Sequence, residues 1–249
     1  MLLADMSWPE VSNLDREIVV VIPTGSIEQH GPHLPVATDT LIATAVAHAA
    51  HEAIPTKILV TPTVFLGASG HHLPFAGTLS ASMDGYTSSL LSIVESLHAH
   101  GFFKFFFLNA HGGNTELNGI VTRILKEKDR RLWVGHRGYY SFIEKEIAET
   151  LEGPFKAIRH GCEAETSLML HLHPDKVRTD KIQDDGLIPH PPVEGMTHMY
   201  DEVTQRGSNG FATLATKEKG KFLFERGVEG VVKNLETLYG GYTLQEVRR

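Results

Sequence analysis

Cysteine is almost missing from this sequence: Cys162 is the only one in 249 residues. A lone cysteine cannot close an intramolecular disulfide, so a stapled secreted scaffold is excluded and a reducing compartment fits. An excess of basic residues is missing too. The chain has 23 Lys and Arg against 30 Asp and Glu, a formal net charge of -7. A nucleic-acid or anionic-membrane surface needs clustered cations to neutralise phosphates. Long apolar runs are also lacking, since the stretches near residues 18–23 and 105–108 are far too short to span a bilayer. The opening MLLADMSWPE has neither the basic segment nor the apolar core of a signal peptide. The expectation is a soluble cytoplasmic protein without nucleic-acid or membrane partners.

Histidine is plentiful by contrast, with 15 in the chain. His30, His33, His71, His72, His111 and His160 fall in Gly- and Pro-rich stretches. A solitary loop histidine is usually a solvated side chain. Several beside carboxylates form the donor mixture of a metal or acid–base site. Apolar content of 41% and charged content of 21% are ordinary for a globular protein. The length suits one domain over residues 1–249 with a full core.

Apolar β-branched or aromatic runs recur, each followed by a turn and a helical pattern. Residues 17–22 (EIVVVI), 57–65 (KILVTPTVF) and 102–109 (FFKFFFLN) read as buried strands, and residues 131–134 (RLWV) begin a fourth. Helical patterns cover residues 39–52, 84–100, 114–128, 163–173 and 217–239. Gly101 suits a helix C-terminus, and Pro174 a stop. Strands alternating with helices predict an α/β fold, a single-domain three-layer sandwich with a mainly parallel sheet flanked by helices. Loops at the carboxyl ends of such strands build ligand sites. Residues 178–215, rich in Gly, Pro and His, are the least regular and suit an excursion over that site.

Three segments carry the candidate chemistry. The first strand runs into GSIEQHGPHLPVATDT, where an extended backbone points Glu28 and His30 to one side and Asp39 opens a helix. Two carboxylates and an imidazole form a mixed O/N set suited to Zn²⁺, Mn²⁺ or Fe²⁺ with positions left for water and substrate. Taken singly, Glu28 reads more readily as surface charge and Asp39 as a helix cap, since charged residues are mostly exposed. The third strand ends in NAHGGN, placing His111 at a strand's carboxyl end, with Gly112 and Gly113 allowing close backbone approach to a ligand. The third segment, HGCEAETS, gathers His160, Glu163 and Glu165 around a helix start. Cys162 has no Cys-His protease context and reads as a small buried residue.

Together with GHHLPFAGTLS and, more weakly, GSNGFATLATKEKG, these blocks resemble the creatininase (creatinine amidohydrolase) family over roughly residues 23–220. The resemblance implies an α/β sandwich, a homohexamer, and two divalent metal ions, zinc first and manganese or iron next, around a bridging water. It implies metal ligands at Glu28, His30, Asp39 and His111, with Asp39 as the bridge. It places Glu165 near the metals as ligand or acid–base group, and gives His160 proton transfer. Creatininase itself carries Tyr-Glu after the histidine that His111 matches, and that glutamate binds metal. Here Gly112 and Gly113 stand instead, and Glu165 is expected to substitute. The tryptophans that enclose creatinine have no counterpart in EGPFKAIR before His160. The likeness is therefore closer to members with an NGHGGN-type block, and creatinine is not the expected substrate.

The resulting expectation is hydrolysis of a C–N bond in a small cyclic or formyl amide by a metal-bridged hydroxide. His160 would protonate the leaving nitrogen, and backbone N–H groups near Gly112 and Gly113 would help hold the oxyanion. Ser69, His71 and His72 read equally as substrate border or as a structural turn. Two other readings stand beside this one. The first is a metal-dependent isomerase or ring-opening hydrolase of a sugar-like ketone, and the second a non-catalytic metal-binding relative.

Overall fold

The computed structural model describes residues 1–186 and 195–242. In chain order its regular elements are α1 (Trp8–Ser12), β1 (Val19–Thr24), α2 (Thr38–Ala53), β2 (Ile58–Val60), α3 (Met83–Ala99) and β3 (Lys104–Asn109). They continue with α4 (Thr115–Lys128), β4 (Trp133–Gly138), α5 (Glu144–Thr150), α6 (Glu163–Leu172), α7 (Tyr200–Val203) and α8 (Lys217–Gly240). Four parallel strands form one sheet in the order β2-β1-β3-β4.

The continuous apolar runs are explained by burial on both faces of the sheet. Successive side chains alternate between faces. Val19, Val21, Phe106 and Leu108 join α2, α5, α6 and α8 in one cluster. Val20, Ile22, Phe105 and Phe107 join α3 and α4 in the other. Each such fully buried side chain contributes roughly 1.5–3 kcal/mol relative to exposure. The three-layer α/β architecture expected from the alternation is the one observed.

Some boundaries moved. β1 begins two positions later than residue 17 and carries on to Thr24. The expected strand over 57–65 pairs only through Ile58–Val60, because Pro62 has no N–H to donate; Val64 returns as an isolated bridge to Thr24. Helix α3 is capped by Ser82 Oγ, which accepts from Gly85 N at 3.0 Å, and it is followed by Gly101 at φ +95°. Among the described residues no helix is long and apolar enough to cross a membrane.

Topology places the site. The chain leaves β1 toward α2 on one face and leaves β3 toward α4 on the other. These neighbouring strands end level, with Thr24 beside Asn109. Connections that diverge from adjacent strands open a crevice at their carboxyl ends, the usual ligand position in such sheets.

Candidate metal centre

Beyond Thr24 the chain stays extended, with Glu28 N donating to Val36 O at 2.8 Å and Ile27 bridging Leu79. Gly25 admits the first turn of α2 at close range: a Cβ there would lie 2.6 Å from Thr40 Cα. That approach carries Asp39 over the end of β1. Glu28, His30, Asp39, His111, His160 and Glu165 are all buried.

The hydrogen bonds assign the imidazole protons. His30 Nδ1 lies 3.1 Å from the Glu28 carbonyl oxygen and carries a proton. Its Nε2 turns to Asp39 Oδ1 at 3.0 Å. In His111 the nitrogens exchange roles: Nε2 is 3.3 Å from Ala68 O, and Nδ1 is 3.1 Å from Asp39 Oδ2 and 3.2 Å from Glu28 Oε1. His160 donates Nε2–H to the Gln29 carbonyl oxygen and turns Nδ1 to Glu28 Oε1 at 3.4 Å. Three inward nitrogens therefore face carboxylate oxygens, which repel them unless a cation lies between. Glu28 Oε1 and Asp39 Oδ2 are buried and find no hydrogen-bond donor among the described residues. Orphaned buried carboxylate oxygens amid imidazole lone pairs are the donor set a divalent ion of the zinc or manganese kind takes.

Without an ion, protons fill the gap. Burial pushes the His30 imidazole down, but the Asp39, Glu165 and Glu28 carboxylates outweigh it and raise it to about 10. His111 also rises, Glu28 and Asp39 overcoming burial. Burial pushes Glu28 up, yet His111, His160 and His72 hold it well below the usual carboxylate range. Burial, with repulsion from Asp39 and Glu28, lifts Glu165 to about 8 against the pull of His30. Burial followed by His30 and His72 drives His160 down. A bound cation replaces these protons and leaves the imidazoles neutral.

Within ligand reach of one another, Glu28, Asp39 and His111 form one group, and His30, His160 and Glu165 a second. Glu165 thus sits on the His30 side, its Oε2 3.9 Å from His30 Nε2. A Cβ at Gly113 would meet Ala68 O at 2.5 Å and His71 Cε1 at 2.9 Å, whereas one at Gly112 would meet nothing within 4 Å. Glu163 lies apart, accepting from Glu152 N at 2.9 Å, Gly153 N at 3.0 Å and Lys219 Nζ at 2.7 Å. It ties α6 to α8. Burial raises the Cys162 thiol to about 12, so it is no nucleophile. His33 is held by Thr166 Oγ1 at 2.9 Å, outside both groups.

A pocket of about 300 Å³ opens over these groups, lined also by His71, His72, Gly112, Tyr140, Arg159, Tyr200 and Asn209. Tyr200 and Asn209 come from the irregular segment expected to pass over the site; its residues 187–194 lie outside the described residues. His72 forms a third group with Glu28 and His160, its Nε2 3.3 Å from Glu28 Oε1. Burial lowers it to about 3. Sequence gave no signal separating His72 from His71, nor any for Gln29, whose amide joins His72, His160 and Gly207. A larger groove of about 690 Å³ between α4, β4 and α8 includes no residue of these candidate groups.

The family model described as creatinine amidohydrolase matches residues 4–235. The mycofactocin precursor peptide peptidase of Mycobacterium tuberculosis is 34% identical over 231 residues, 87% of this chain and 84% of that protein. Creatinine amidohydrolase of Pseudomonas putida is 28% identical over 249 residues, covering 92% and 94%. The 3-dehydro-scyllo-inosose hydrolase of Thermotoga maritima is 28% identical over 242 residues, covering 88% and 76%. The crystal structure of creatinine amidohydrolase superposes with a TM-score of 0.86 at 26% identity, covering 97% of this chain and 98% of that one. Creatininase also matches as a manganese form and, in a mutant, as a Zn-Zn type, each with a TM-score of 0.80 at 26% identity. A model spanning nearly the whole sequence, a relative above 30% identity over most of both chains, and a shared fold bearing a metal-type donor set agree: the chain belongs to the creatininase family.

Proposed function

We propose that this creatininase-family amidohydrolase cleaves the C–N bond of a small cyclic or formyl amide at a centre for two divalent ions, zinc first and manganese or iron next. The reading is carried by the imidazole nitrogens turned onto carboxylate oxygens that lack hydrogen-bond donors among the described residues. Glu28, Asp39 and His111 would hold one ion; His30, Asp39 and Glu165 would hold the other, with Asp39 shared. Divalent ions bound there would acidify water near neutral pH and polarise a carbonyl.

The chain's own residues supply the rest. The pocket's volume suits a small molecule. His160 accepts a proton at Nδ1, the nitrogen its bond to Gln29 leaves bare, and delivers it to the leaving nitrogen. Glu165 closes the floor on the His30 side. Gly112 and Gly113 in place of creatininase's Tyr-Glu, and the lack of its enclosing tryptophans, argue for a substrate shaped differently from creatinine. We assign the enzyme to the cytoplasm as a homohexamer, in keeping with one buried cysteine and with the family resemblance.

The test is a panel of cyclic, formyl and peptide amides offered to zinc- and manganese-loaded protein, reading ammonia, formate or amine release. Release supports the assignment. The likeness to a 3-dehydro-scyllo-inosose hydrolase keeps a cyclic ketone in the panel. Turnover of that ketone alone would replace amide hydrolysis with ring opening or isomerisation. Protein that binds no zinc, manganese or iron would sink every enzymatic reading.

A further inference from the structure

We propose that His72 is a further catalytic group, donating a hydrogen bond through Nε2–H to the substrate oxygen that gains negative charge. The proposal rests on the amide-hydrolysis reading above. Its physical basis is the Gln29 side-chain amide, whose orientation is fixed at both ends. Oε1 accepts from Gly31 N at 2.9 Å, and Nε2 donates to Gly207 O at 2.8 Å. One amide hydrogen remains. It points to His72 Nδ1, 2.9 Å away, because the other neighbour, His160 Nε2 at 3.1 Å, directs its own proton to the Gln29 carbonyl. An imidazole nitrogen that accepts a hydrogen bond is unprotonated, so neutral His72 carries its proton on Nε2.

That proton has no settled acceptor. Nε2 lies 3.3 Å from Glu28 Oε1, yet Oε1 receives no aligned hydrogen bond among the described residues. His72 lines the same pocket as Glu28, Asp39 and His111. His30, His111 and His160 are wired in the opposite sense, with protons outward on carbonyl oxygens and lone pairs inward. The bare nitrogens of His30 and His111 suit metal and that of His160 a proton, whereas His72 presents a donor. Its ring is held by Tyr200, stacked at 4.0 Å, with His160 at 4.2 Å and His71 at 4.3 Å. A carbonyl oxygen turning tetrahedral gains charge, and a fixed, buried N–H aimed at it stabilises the transition state more than the ground state.

The test uses the full zinc-loaded chain with ¹⁵N-labelled histidine, the His72 signals being assigned by their loss in His72→Asn. Long-range ¹H–¹⁵N spectra should show His72 as the Nε2–H tautomer. Adding acetohydroxamate, a carbonyl-bearing metal chelator, should shift its Nε2 resonance. In His72→Phe and His72→Asn the acetohydroxamate Kd should rise at least about tenfold. For any amide the wild type turns over, kcat should fall roughly 10²–10³-fold with zinc content unchanged. Gln29→Met, which keeps His72 but frees its tautomer, should lower kcat by about tenfold on the same grounds. The proposal is overturned by an Nδ1–H tautomer, by an unmoved Nε2 resonance, or by Kd and kcat within twofold of wild type. Zinc loss in the His72 variants would also overturn it, since His72 would then be a ligand. A wild type that turns over no amide refutes the functional reading alone, and the ¹⁵N spectra and acetohydroxamate titration still decide the role of His72.

Discussion

Glu28 and Asp39 each keep one carboxylate oxygen buried and without a donor among the described residues, an arrangement costly in any protein that leaves it so. Changing Glu28 to Gln removes charge while keeping shape. We expect Glu28→Gln to retain the fold by circular dichroism, to lose metal affinity by at least ~100-fold, and to lose turnover with it. Elemental analysis after dialysis checks the affinity. A second expectation concerns protons. His30 at about 10 and Glu165 at about 8 are both protonated in the metal-free protein at pH 7. His111 is shifted the same way. Loading must displace those protons, so apparent affinity falls as pH falls, and calorimetry in two buffers should detect roughly two to three protons released per chain at pH 7. No release would show the ligand assignment to be mistaken. At this scale Glu28, His30 and Asp39 were legible because one continuous run holds them. The His72–Gln29 pairing was not, because it depends on Gly207, which lies 178 positions further along the chain.

At the scale of elements, strand-to-helix alternation was legible because burial on both faces leaves unbroken apolar runs. The end of β2 was less so: the apolar pattern continues through Pro62, whereas the hydrogen-bond ladder cannot. The short helices α5 and α7 carry too few turns for a periodic signal. The contact between β1 and α2 gives a prediction of its own. Gly25→Ala would drive a methyl against the Thr40 backbone. It should cost about 1–3 kcal/mol, read as a lowered thermal midpoint, and should weaken metal binding by displacing Asp39. An unchanged midpoint would mean that α2 yields freely.

For the whole molecule, metal and fold are one equilibrium. The proposed ligands come from β1, α2, β3 and α6 and their flanking loops, so an ion bound only by the folded chain stabilises all of it. At a free concentration about 100-fold above Kd the gain is roughly 2.7 kcal/mol. For a chain of this size that corresponds to a midpoint higher by about 5–10 °C, lost on adding a chelator. Calorimetric scans with zinc and with chelator check this; coincident curves would contradict a preformed centre. Assembly belongs to this scale too, and light scattering on the loaded protein should return six copies.

The crowding around Gly113 bears on how such a site can change over time. A carboxylate arriving there by one substitution forces its neighbours to shift, because the Ala68 carbonyl, His111 and His71 already fill the volume its first carbon needs. The loop with the paired histidines and the Gly-Gly turn are therefore locked to each other. A change between this centre and one with a glutamate at that position therefore requires the loop to move with it.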